Sequence, residues 1–245
     1  MANVGGPNNN QPQPHLQAFK NAADGARDNT QIKVRDGGNV GTRSLFGRAW
    51  RAVTPALSGR RASNMMDING FKAALLKQNN QEQDVGLALD ECLPGHKNGK
   101  VPLTAGAVRR SIEYLNILNM PVASAVDRPQ FRDITDEEYA TESLDFYIAA
   151  KDMLGNGNNV IDVQRFKAFV TRFVDEETAE DELVNMTGDL RDEITQFVAD
   201  SNGPRYSSEQ AARARQLLEK AQQEVGKLMF DPLKKFKETL LRQLD

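Results

Sequence analysis

From Asp67 to Leu244 the apolar residues recur every three to four positions, and this spacing leaves few folds open. A period near 3.6 gathers them on one stripe of a helix, whereas a half-buried strand alternates at every second residue. Asp67 opens a first helix to about Gln78, with Phe71, Ala74 and Leu75 apolar, and a second spans about Glu82 to Leu93. Thr104 caps the next, with Ala105, Val108, Ile112 and Leu115 on one face, and Pro121 stops it. Residues 120–134 carry two prolines and read as a loop. Thr135 and Glu138 have capping-box spacing and precede Ala140, Leu144, Tyr147 and Ile148. Asp162 opens a helix with Val163, Phe166, Val170 and Phe173 inward. Leu183, Met186, Leu190, Ile194 and Phe197 mark one from about Thr178 to Asp200, broken by Asn202-Gly203-Pro204. The longest late helix begins at Ser207 or Ser208, where Ala211, Ala214, Leu218, Ala221, Val225 and Leu228 keep heptad spacing. Pro232 opens the last, with Leu233, Phe236, Leu240 and Leu244. The expected fold is all-α, a bundle of seven or eight helices over residues 62–245.

The N-terminal quarter differs in kind. Residues 1–30 are rich in Asn, Gln, Pro and Gly and too poor in apolar side chains to offset their ordering entropy, so residues 1–41 are expected to form a disordered tail. Within it Gln31-Ile32-Lys33-Val34 alternates, and Asp36-Gly37-Gly38 follows as a turn. With no partner strand evident, Ile32 and Val34 suit either a loop or a strand added to another protein's sheet edge. Residues 42–61 carry five arginines and no acid. On a helix Phe46, Trp50, Val53 and Leu57 share a narrow stripe, with Arg48 and Arg51 opposite. Such an arm suits an anionic membrane surface, a groove in a partner, or packing on the following domain. Pro55 divides it.

Charge is unevenly placed. Residues 1–61 hold nine Lys/Arg and three Asp, a net of +6, and the remainder holds 22 basic and 31 acidic residues, a net of −9. An acidic body argues against nucleic acid as a partner. No apolar run approaches the roughly 18–20 residues of a membrane span, and no continuous apolar stretch marks a signal peptide. Cys92 stands alone, so no intrachain disulfide forms, and Pro94-Gly95 keeps it off a shared helix face with His96. No phosphate-binding glycine motif or nucleophile elbow occurs, and no cofactor is expected. Gly155 to Asp162, followed by Phe166, resembles the second half of an EF-hand, and His96 to Val101 echoes it. The cation positions fall on Leu154 and Arg165, and on Pro94 and Ala105, so no metal is expected.

One short pattern points to activity. Gly188-Asp189-Leu190-Arg191, with Thr195, reads G-x-L-R-x-x-x-T. This resembles the arginine-finger motif of bacterial type III secreted effectors that act as Rho GTPase-activating proteins. The resemblance implies Arg191 as a finger neutralising charge on the transferring phosphoryl group, supported by Gly188, Leu190 and Thr195. The alternative reading of Arg191 is a surface helix residue near Asp189 and Asp192. The layout is similar too: those effectors begin with a secretion signal, then a chaperone-binding strand, then a membrane-localising stretch. The expectation is therefore a secreted virulence effector with a membrane-directing arm and a helical interaction domain. It would act in the host cytoplasm or at the membrane periphery, with a secretion chaperone and a host protein, a small GTPase among the candidates, as partners. A Rho-directed GAP using Arg191 and a structural helical protein without secretion are the alternatives.

Overall fold

In the computed structural model the helical spacing is realised as eleven α-helices and one two-stranded hairpin among the described residues, which are 15–35, 38–43, 57–138, 140–155, 161–175, 183–201 and 203–244. The all-α class stands. No described helix is long and apolar enough to cross a membrane. The chain divides into two compact units, one of Met1–Asn119 with Leu244–Asp245 and one of Met120–Gln243.

The first unit holds α1 (Leu16–Ala23), β1 (Gln31–Val34), β2 (Val40–Arg43), α2 (Leu57–Asn79), α3 (Glu82–Cys92), a 3-10 turn (His96–Asn98) and α4 (Ala105–Leu118). Helix α1 lies where composition suggested a tail. Its eight residues form no stable helix alone, but Phe19 and Ala23 are fully buried, and the Phe19 ring sits 5.1 Å from that of Phe71 on α2. Two apolar anchors on one face were enough, against an otherwise polar composition. The chain leaving α1 is held by Arg109 on α4, whose guanidinium donates to the Ala23 carbonyl, to the Ala26 carbonyl at 3.0 Å and to Asp28 at 2.5 Å. Strand β1 is not a lone strand either. It pairs antiparallel with β2 in the register Gln31 to Arg43 and Val34 to Val40, and Gly38 turns the chain at φ +78°. On its other edge Ile32 N–H donates to Leu103 O at 2.8 Å, and Ala105 N–H donates to Thr30 O at 2.8 Å. Both edges of β1 are thus used inside the chain. Asp67 on α2 is 1% exposed and accepts from Lys33 Nζ at 2.6 Å and from Val34 N–H at 2.8 Å, which fixes the hairpin on α2.

The second unit holds α5 (Val122–Ala125), α6 (Pro129–Glu137), α7 (Thr141–Gly155), α8 (Val163–Phe173), α9 (Gly188–Asp200), α10 (Ser208–Leu228) and α11 (Phe230–Arg242). Residues 120–134, expected as a loop, contain α5 and most of α6, with Pro129 at the first turn, where a missing N–H costs nothing. The capping box at Thr135 and Glu138 does not form. Thr135 is buried inside α6 and donates its hydroxyl to Arg132 O at 2.8 Å, and Glu138 pairs with Lys235. The box at the start of α10 does form, between Ser207 and Gln210. Alanines 211, 214 and 221 of α10 are buried, and their small side chains let α7 approach closely. Phe146, Phe166, Phe169 and Phe173 fill the core between α7, α8 and α9, with ring centroids from 4.9 to 6.4 Å apart.

Helix α9 begins ten residues later than the periodicity suggested. Leu183, Met186 and Leu190 keep helical spacing, yet residues 183–187 are not helical. Val184 N–H bonds to Phe173 O at 3.1 Å instead of to a preceding turn, and Val184 and Met186 are buried by that packing. Spacing alone does not separate these cases, because any extended run can also send two of three apolar residues inward.

Candidate interaction face

Helices α7 to α10 run alternately up and down. Phe146, early in α7, packs on Phe173, late in α8, while Phe166, early in α8, packs on Phe197, late in α9. Thr187 N–H, before α9, donates to Glu224, late in α10, at 2.5 Å. Gln222 and Arg215 of α10 donate to the carbonyls of Tyr147 and Leu154, so α10 also opposes α7. This alternation brings three connections to one end of the bundle: the α6–α7 turn, the α8–α9 connection and the α10–α11 turn. Loops held by a rigid helical scaffold are where binding surfaces are usually built.

The chemistry of this end follows from helix direction. The N-termini of α7, α9 and α11 open there, and each has an acid in its first turn: Glu142, Asp189 and Asp231. Carboxylates offset the positive end of the helix dipole, and they also leave an acidic surface. The Glu224 carboxylate receives the Thr187 N–H and, at 3.2 Å, its hydroxyl, standing in for the cap that Thr187 does not itself supply. Lys235 ties α11 to Glu138 beyond α6, and Thr141 donates to Asp136 at 2.5 Å. Between α9 and α10 lies a polar depression of about 320 Å³, lined among others by Thr187, Asp189, Glu193, Lys220 and Glu224.

Arg191 lies behind this face. The helix does start at Gly188, and Leu190 is buried, but the Arg191 guanidinium turns back and donates to Val174 O at 2.8 Å and Val184 O at 2.9 Å. It clamps both ends of the α8–α9 connection. Thr195 is exposed on α9. Of the arm, Phe46, Arg48, Trp50, Arg51 and Val53 lie outside the described residues, and Leu57 opens α2. Ile32 is fully buried and Val34 packs at the edge of the same core, so neither is presented for strand addition. Cys92 and His96 are both buried, and His96 Nδ1 lies 3.2 Å from Leu93 O, a structural role. Residues 156–160 of the EF-hand-like segment lie outside the described residues; Asp162 caps α8 by accepting from Arg165 N–H at 2.8 Å. Among the described residues no group of His, Cys, Asp or Glu is arranged to hold a metal.

Residues 119–241, half of the 245-residue chain, match the model of the regulator of G protein signaling domain. The chain belongs to that family. No curated protein and no solved structure gives a significant match. Membership overturns the reading of the chain as a type III virulence effector, and with it the Rho-directed arginine finger and the secretion-free structural protein. The G-x-L-R-x-x-x-T pattern is a coincidence of a helix start with a backbone clamp. The effector-like layout was likewise an order of compositions without a shared motif. A GTPase as the class of partner survives, since a G protein is one; a secretion chaperone and a membrane gain no support from the family. The regulator domain coincides with the second unit, so the face built by its three connections belongs wholly to it. Sequence reading missed Glu138, Glu142, Thr187, Glu224, Asp231 and Lys235. An acid in the first turn of three consecutive alternate helices was the available signal, and it became readable only once those helix starts were known.

Proposed function

We propose that this chain regulates heterotrimeric G-protein signaling by binding the Gα subunit and accelerating its GTP hydrolysis through the acidic end of the second unit. The family match carries this reading. The clamp at Arg191 supports it in a second way. A Gα subunit carries its catalytic arginine in cis, so an activator of Gα has no need to donate one. What remains for it is to hold the GTPase switch segments in the conformation that suits the transition state, which is differential binding through a rigid surface. The α7–α10 bundle supplies rigidity, and Glu142, Asp189, Glu224 and Asp231 supply acceptors for a partner surface rich in Lys or Arg N–H groups.

Single-turnover GTP hydrolysis by purified Gα subunits of different classes, with and without the full chain, tests the reading. Acceleration is expected for at least one class. Asp189→Lys and Asp231→Lys reverse exposed charges at two separate helix starts and should lower the acceleration by about tenfold or more, with only a small loss of melting temperature from the helix dipole. No acceleration of any Gα removes the functional reading. Acceleration that both variants retain moves the contact to another face.

A further inference from the structure

The hollow flanked by α5, α7, α10 and α11 adjoins the acidic end and shares Gln223 and Lys227 with the depression there, but its walls are apolar. Its volume is about 620 Å³, within the range of small-molecule sites. Val122, Tyr147, Phe230 and Leu233 form apolar walls. The floor exists because position 226 of α10 is glycine: a Cβ there would stand 3.3 Å from Tyr147 Cε2, so any larger side chain would fill the space the ring now borders. Phe230 is 67% exposed, in a chain whose other phenylalanines among the core residues are shielded. An aromatic ring left in water at the mouth of an apolar hollow gains from any apolar body that covers it.

Two polar groups decide what that body carries at its end. Lys227 is the only charged residue lining the hollow, and its ammonium makes no ion pair among the described residues. Gln223, one helical turn earlier, lines the same rim. The second amide there, Gln222, already donates to Tyr147 O at 3.3 Å. Tyr147 adds no competing negative charge, since a phenol is neutral at neutral pH and burial raises its pKa further. An ammonium and an amide N–H side by side above apolar walls match a carboxylate on a hydrocarbon chain.

We infer that the hollow between α7, α10 and α11 is a binding site for a free medium-chain fatty acid, its chain against Tyr147, Gly226, Phe230 and Leu233 and its carboxylate on Lys227 and Gln223. The site borders the face of the Gα reading, with which it shares Gln223 and Lys227, but its readout needs no GTPase, so the two can fail separately. The full chain is titrated with dansyl-undecanoate, followed by dansyl fluorescence, and the probe is displaced with dodecanoate below its micellar concentration. Saturable binding is expected, with displacement by dodecanoate but not by dodecyltrimethylammonium, which carries the same chain and the opposite charge. Lys227→Glu, an exposed helix position, should weaken dodecanoate by about tenfold, since a paired charge is replaced by a repulsive one. Gly226→Leu should abolish binding by filling the floor. Absence of saturable binding overturns the site, as does binding that both variants leave intact or that the cationic chain matches. If fatty acid fails to bind and Phe230→Ser instead removes acceleration of Gα, the hollow is covered by the protein partner, and the fatty-acid site is wrong.

Discussion

Cutting Arg191 back to alanine separates a backbone clamp from a donated catalytic group. The side chain is half-buried and donates to Val174 O at 2.8 Å and Val184 O at 2.9 Å, and both valines are fully buried. A hydrogen bond from a charged donor contributes about 1.5–3 kcal/mol. Two are lost together, but the space left by the truncated side chain lets water in to the carbonyls in part, so the total should fall near 2–4 kcal/mol. For a unit of this size that corresponds to roughly 6–15 °C in melting temperature. Arg191→Lys keeps one donor without the planar fork and should lose about half as much. The two compact units can unfold separately, so amide hydrogen exchange over α8 and α9 is the assay that reads the right one, with circular dichroism melting of the full chain beside it. The clamp predicts faster exchange at Val184 and along the first turn of α9. A change below about 0.5 kcal/mol, the ordinary effect of a surface substitution, would refute it.

Three further outcomes follow from the same structure. Deleting residues 1–30 should destabilise the first unit, because it removes α1; Phe19→Ala alone should cost about 3–5 kcal/mol in urea denaturation, and an unchanged midpoint would return the segment to a dispensable tail. Lys33→Met leaves the buried Asp67 carboxylate with the Val34 N–H alone among the described residues, costing about 2–4 kcal/mol, whereas the double change Lys33→Met with Asp67→Leu should recover part of that loss; equal single and double effects would rule out the pair. The hydrogen bond from Lys97 lowers the pKa of exposed Asp90 against desolvation, which raises it, and the Lys97 and His96 charges add smaller lowering. A depressed carboxylate stabilises the fold above its unfolded pKa of about 4 and loses that contribution as pH falls through the folded value, so the melting difference between wild type and Lys97→Ala should be small, largest near neutral pH, and gone in strong acid.

The amino-acid sequence by itself determined the all-α class, most helix faces and the cap of α10. These depend on spacing within one turn or two, which the chain carries locally. Phe71, Val108, Phe166 and Val225 are buried as their periodicity required. Long-range packing decided the rest. Helix α1 exists because Phe19 meets Phe71, 52 positions away in the chain, and β1 is a paired strand because β2 and Leu103 occupy its two edges. Residues 183–187 are not helical despite their helical spacing, because Phe173 O, Arg191 and Glu224 partner their backbone instead. The same contacts turned Arg191 from a side chain facing a partner into one facing its own main chain. The interaction face is tertiary in a stricter sense: Glu142, Asp189 and Glu224 are far apart in sequence, and only the alternation of helix direction gathers them at one end. Side-chain direction and helix direction are set by the whole bundle, and no local spacing encodes either.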